Sequence, residues 1–89
     1  MHSEQITVLG GSGFLGSALS DLLVKKNYKV VIFDIKKKSD LKANQKFIRG
    51  SILNIKKLSK AIKGSRIVLN FAALADMDLA KDKPLEVYL

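Results

Sequence analysis

Ile6-Thr7-Val8-Leu9-Gly10-Gly11-Ser12-Gly13-Phe14-Leu15-Gly16 decides how this chain of 89 residues is read. Ile6 to Leu9 form a short apolar run, stopped by Gly10 and Gly11, and predict a buried strand. From Phe14 the period changes. Leu15, Ala18, Leu19, Leu22 and Leu23 recur at helical spacing, and Lys25 and Lys26 close the pattern where cations complement a helix dipole. Between strand and helix, Gly10, Gly13 and Gly16 are spaced G-x-x-G-x-x-G. In such a loop the first glycine permits a tight turn. The second lets backbone approach a pyrophosphate, and the third lets the helix pack against the strand. Free N–H groups at the helix start, backed by the dipole, attract phosphate charge. Four glycines in seven residues exceed what a plain strand-to-helix turn needs. No Gly-Lys-Ser/Thr ends the loop, which excludes a Walker-type phosphate loop.

The same punctuation recurs downstream. Val30 to Phe33 form a second apolar, β-branched run with Asp34 at its end. Residues 36–44 are polar and predict a surface loop, in which Lys36, Lys37 and Lys38 read as solvated. Phe47-Ile48 predict a third strand closed by Gly50. Asn54 is a good N-cap for a helix carrying Ile55, Leu58, Ala61 and Ile62 on one face, with Lys56, Lys57, Lys60 and Lys63 on its other side. Gly64 is placed as the stop of that helix. Ile67 to Phe71 predict a fourth strand running into Ala72-Ala73, and left as an exposed apolar edge. Asp76 and Asp78 open a polar stretch, and Pro84 starts a last helical segment.

Continuous apolar strands alternating with amphipathic helices predict an α/β fold, a parallel sheet with helices on both faces. Right-handed crossovers then give the sheet order 3-2-1-4. That is one half of a Rossmann-type, doubly wound dinucleotide fold and the beginning of the other. Asp34 lies roughly 20 residues beyond the glycine loop, where a carboxylate accepts both ribose hydroxyls of an adenosine. It repels a 2′-phosphate and so favours NAD over NADP, although a lysine of the 36–38 run could swing toward such a phosphate.

Composition narrows the alternatives. The chain has 16 Lys+Arg against 8 Asp+Glu, a formal net charge of +8, 47% hydrophobic residues and 27% charged. This is a globular composition of one small domain. The absence of Cys excludes disulfides, Cys zinc sites and thiol nucleophiles, and one His, at position 2, argues against a His-rich metal site. No stretch approaches the ~18 consecutive apolar residues of a membrane helix. The start, Met-His-Ser-Glu-Gln, has no basic n-region, so the expected location is cytoplasmic. All but Arg49 and Arg66 of the basic residues are lysine, which suits solvated surface better than bidentate recognition.

Together the glycine loop with Phe14, Asp34, the segment Phe47 to Leu53, Asn70-Phe71-Ala72-Ala73, and Asp76-Met77-Asp78 through Pro84-Leu85 resemble the extended short-chain dehydrogenases/reductases. The likeness is to their NAD-dependent epimerase/dehydratase branch acting on nucleotide sugars, and it covers almost the whole chain. It implies that Phe14 and Leu15 offer backbone N–H groups to the pyrophosphate, and that Asp34 and Ile35 flank the adenosine ribose. Ser51 and Ile52 are implied beside the adenine, with Phe71, Ala72 and Ala73 along the path to the nicotinamide ribose. Where the family often has Asp, this chain has Ser51, a weaker acceptor for the adenine amino group. The family's catalytic Ser/Thr and Tyr-x-x-x-Lys lie beyond Leu89, and neither Tyr28 nor Tyr88 is followed by Lys four residues later. The expectation is therefore an N-terminal portion of an NAD(P)-binding domain, residues 1–89. It holds no catalytic residue of its own, and the substrate-binding portion is absent. In the intact enzyme the resemblance implies a nucleotide-sugar substrate and a homodimer. The competing reading is a non-catalytic NAD-sensing or basic RNA-binding module, with Lys36 to Lys38 and the Lys56, Lys57, Lys60, Lys63 face as its patch. No aromatics interleave with those lysines, as single-strand binding would want.

Overall fold

A computed structural model describes residues 4–72. The elements run β1 (Gln5–Leu9), α1 (Phe14–Lys25), β2 (Lys29–Asp34), β3 (Gln45–Arg49), α2 (Ile55–Ile62) and β4 (Ser65–Asn70). The four expected strands and the two expected helices between them are present, and the strands lie in the order β3-β2-β1-β4. Every pairing is parallel, with Leu9 opposite Phe33 and Asn70, and Asp34 opposite Arg49. The carboxyl ends of all four strands therefore reach the same edge of the sheet. The polar stretch with Asp76 and Asp78 and the helical segment expected from Pro84 lie outside the described residues.

Side chains alternate across the strands and build one core on each face. Ile6, Val8, Val30 and Ile32 are buried against Leu23 and Val24 of α1, with Tyr28, Phe47, Leu69 and Phe71 around them. Leu9, Val31 and Phe33 are buried with Ala61 of α2, and with Ile48, Leu58 and Ile62 beside them. Burial on both faces explains why β1 and β2 read as nearly continuous apolar runs. The one polar residue in the β1 run, Thr7, is fully buried and fully engaged. Its hydroxyl donates to the Ala61 carbonyl at 2.8 Å and lies 2.5 Å from Ser65 Oγ, which in turn accepts from Gln5 Nε2 at 2.8 Å. This chain of bonds ties β1 and β4 to the end of α2.

The second helix begins and ends as expected. Asn54 caps it by accepting the Lys57 N–H at 3.2 Å. Gly64, at φ +80°, takes the left-handed turn that releases the chain into β4. Its apolar face is shorter than expected, because Ile55 in the first turn remains 68% exposed.

Two expectations need correction. The face of α1 turned to the sheet is only part of the leucine stripe, with Leu23 packed on the core. Gly16 and Ser20 are its buried residues, whereas Leu15 and Leu22 are about half exposed and Ala18 is exposed. The cause is the close contact at Gly16, where a Cβ would stand 2.4 Å from the Gly10 carbonyl oxygen. Small residues must face the sheet there, and this rotates part of the leucine stripe outward. The second correction concerns the lysine run. Lys36 and Lys37 are exposed, but Lys38 is buried, with its ammonium 3.1 Å from the Asp21 carboxylate. It also donates to the Asp40 carbonyl. This pair fastens the loop after β2 onto α1. At the far edge of the described sheet, β4 carries Ile67 and Val68 exposed, as expected for an apolar edge strand.

Candidate functional site

The chain leaves β1 for α1 and reaches β2 on one side, while β4 lies on the other side of β1. The strand order reverses there, and in open α/β sheets ligands bind outside the carboxyl ends of the strands at that reversal. In this structure the reversal point is occupied by the glycine loop.

The loop is held by its own backbone. Gly10 N–H donates to the Phe33 carbonyl at 2.7 Å, and Ser17 N–H makes the first helical bond, to Gly13, at 2.8 Å. The amides of Phe14, Leu15 and Gly16 precede that bond and so have no partner within the helix. No acidic side chain stands in the first turn of α1 to neutralise its positive end.

The three spaced glycines do different jobs. Gly10 has φ +77°, and a Cβ on it would lie 2.6 Å from the Ala72 amide nitrogen. The fold itself requires glycine there, as it does at Gly16. Gly13 is different. Its φ is −74°, which suits any residue, and a Cβ would meet only the Gly10 carbonyl at an ordinary 3.6 Å. The space over Gly13 is open, and nothing among the described residues demands its lack of a side chain.

Beside the loop lies a cleft of about 210 Å³. Six of the residues expected from the sequence line it: Gly10, Asp34, Ile35, Ser51, Ile52 and Ala72. Asp34 is half-buried and is oriented by two backbone donors, Ser12 N–H at 3.0 Å and Lys36 N–H at 3.2 Å. A carboxylate has about four acceptor positions, so these two bonds leave capacity for a ligand. Ser51 Oγ accepts the Leu53 N–H at 3.1 Å. Gly13, Phe14, Leu15 and Gly16 form the adjoining helix start, with Phe14 89% exposed. Phe71 presents its backbone rather than its ring to the loop. Its side chain packs on the α1-side core, and its backbone carbonyl carbon lies against Gly10. Ala73 lies outside the described residues.

Sequence reading missed three cleft residues and one beside it. Phe33 floors the cleft, and Gly50 makes room for it, since a Cβ there would lie 2.8 Å from the Phe33 ring. Leu53, 86% exposed, and Ile35, 70% exposed, are two apolar side chains on the cleft wall that water alone does not favour. The apolar pair Ile52-Leu53 between Ser51 and the Asn54 cap was the available signal for Leu53. Ser12 also escaped notice. Its hydroxyl oxygen is buried without a hydrogen-bond partner among the described residues, and a buried polar atom in that state points to a missing partner.

Parallel sheet, reversal point, glycine loop and cleft are those of a Rossmann-type nucleotide-binding α/β domain. The profile of the NAD dependent epimerase/dehydratase family matches residues 6–89, and the chain belongs to that family. Among curated proteins, it is 38% identical over 71 residues to the decarboxylating sterol-4-alpha-carboxylate 3-dehydrogenase of Mus musculus, covering 80% of this chain and 19% of that protein. Among solved structures, a UDP-glucose 4-epimerase superposes with a TM-score of 0.70 at 27% identity, covering 96% of this chain and 27% of that one. A short-chain dehydrogenase/reductase superfamily protein from Agrobacterium tumefaciens with bound NAD superposes with a TM-score of 0.68 at 28% identity, covering 76% and 20%. The chain thus spans about a fifth of the length of the curated relatives it matches.

Proposed function

We propose that this chain binds NAD across its glycine loop and cleft, as the cofactor-binding portion of an NAD-dependent enzyme of the epimerase/dehydratase family. The observation that carries this is Gly13. The fold leaves the space above it open and requires no glycine there, which is what a loop reserved for a pyrophosphate needs. The orphaned Ser12 hydroxyl beside it fits the same ligand.

The remaining residues supply binding and orientation. Phe14, Leu15 and Gly16 direct free amides and the positive end of α1 at the pyrophosphate. Asp34, held by Ser12 and Lys36, accepts from the adenosine ribose hydroxyls and disfavours a 2′-phosphate. Lys38, committed to Asp21, is withdrawn from any such phosphate, which strengthens the preference for NAD over NADP. Ile35 and Leu53 flank the base above Phe33, with Ser51 and Ile52 beside it. The cleft is smaller than the roughly 300–1,000 Å³ of drug-sized pockets, so it takes the adenosine end. Ala72 and Ala73, with the Phe71 backbone, lead toward the nicotinamide ribose. When bound, NAD supplies a hydride acceptor for oxidation of a substrate carbinol.

We propose a nucleotide sugar as the substrate of the whole enzyme, with a homodimer and a cytoplasmic location. The sterol dehydrogenase relatives favour a second reading, a sterol carbinol oxidised by the same transfer. Among the described residues no helix is long and apolar enough to cross a membrane.

The test is NAD binding by equilibrium dialysis with Gly13→Val as control. Saturable binding that is lost in Gly13→Val, with an unchanged melting temperature, supports the proposal. RNA affinity that falls steeply with salt and survives Gly13→Val, without NAD binding, overturns it.

A further inference from the structure

We infer that the base end of the cleft accepts 6-oxo and 6-amino purine dinucleotides alike, because the polar side chain facing the base is the rotatable hydroxyl of Ser51. This rests on the NAD-binding reading and extends it to the choice of base.

Among the described residues lining the cleft, only Asp34 and Ser51 have polar side chains. Asp34 is fixed at the end of β2 by two backbone donors and serves the ribose. Ile35, Leu53 and Phe33 hold a flat ring by its faces and do not distinguish one purine from another. Hydrogen-bond discrimination at the base edge by a described side chain therefore falls to Ser51.

A serine hydroxyl has one proton to donate and two lone pairs to accept with. The Leu53 N–H takes one lone pair, at 3.1 Å. The proton and the second lone pair stay free, and rotation about the C–O bond exchanges their directions. Adenine presents an amino donor beside a ring nitrogen acceptor. Hypoxanthine presents the reverse, a carbonyl acceptor beside a ring N–H donor. A hydroxyl satisfies either edge at equal cost, whereas an accept-only group satisfies one and leaves the other facing like charge. Strong discrimination between such analogues requires a site whose polar group is left unpaired by the wrong one, and Ser51 is never so left.

Competitive dialysis of the protein with NAD and nicotinamide hypoxanthine dinucleotide tests this. The expected Kd values lie within about fivefold of each other. Ser51→Asp keeps the turn, since an aspartate accepts the Leu53 N–H as the serine does, but it loses the donor. In that variant the ratio should move toward NAD by about tenfold or more. A wild-type preference beyond fivefold, or a ratio unmoved by Ser51→Asp, overturns the inference. The wild-type ratio decides by itself if Ser51→Asp does not fold. Binding of NAD without the hypoxanthine analogue overturns the inference and leaves the NAD reading standing. Binding of neither overturns both.

Discussion

The backbone N–H of Ser12 donates to the Asp34 carboxylate at 3.0 Å, joining the glycine loop to the end of β2 across 22 residues of sequence. One carboxylate thus orders the glycine loop and faces the cleft. Loss of that carboxylate should be felt in both stability and binding. Asp34→Ala is expected to lower stability by about 1–2 kcal/mol, because the Ser12 amide loses a charged acceptor. It should weaken NAD at least tenfold and NADP less. Denaturant melts and dialysis with both cofactors check this. Equal affinities for the two, before and after the change, would refute the ribose assignment.

The buried Thr7 hydroxyl closes the chain of bonds from Gln5 through Ser65 to the Ala61 carbonyl. Thr7→Val keeps the shape but leaves that carbonyl without the hydroxyl. A loss of about 1–3 kcal/mol is expected, read from the urea midpoint with the slope unchanged. NAD affinity should not change, since Thr7 does not line the cleft.

The Lys38–Asp21 pair is asymmetric. The Lys38 side chain is 2% exposed and that of Asp21 is 32%. Removing the carboxylate leaves a buried ammonium with only the Asp40 carbonyl, whereas removing the ammonium leaves a carboxylate that water can reach. Asp21→Ala is therefore expected to cost about 1–3 kcal/mol, and Lys38→Met less. Thermal melts of the two variants give the order. A larger loss in Lys38→Met would contradict it.

The same pair has a pH signature. The Gln45 amide, ahead of Lys38, holds the Asp21 carboxyl below its ordinary value, against a desolvation that opposes it. A group with a depressed folded pKa contributes stability above its unfolded value and loses it as pH falls through the folded one. The contribution of Asp21 should be intact at neutral pH and fade from roughly pH 4 downward. Wild type and Asp21→Asn should then converge in stability in acid and diverge near neutrality. A gap that stays constant across this range would show that the charge has no part in it.

The architecture was legible because its signals are local. Mostly apolar runs at Ile6–Leu9 and Val30–Phe33, the Asn54 cap and the Gly64 stop each act within a few residues. The cleft was legible for a related reason, since parallel strands place Gly10, Asp34 and Ser51 at one edge once the strand order is known. What escaped depends on contacts distant in sequence. The rotation of α1 follows from Gly16 meeting the Gly10 carbonyl, which leucine spacing does not register. Lys38 looked like its exposed neighbours because Asp21 lies 17 positions earlier. The bond from Ser12 to Asp34 involves a backbone amide, which carries no residue signature.

Backbone amide chemical shifts followed during an NAD titration test the central reading most directly. Saturable perturbations are expected at Gly10 to Gly16, at Asp34 and Ile35, and at Ser51 to Leu53, with the Lys56, Lys57, Lys60 and Lys63 face of α2 unmoved. Shifts confined to that lysine face, or none at any NAD concentration, would contradict a cofactor site at the carboxyl edge of the sheet.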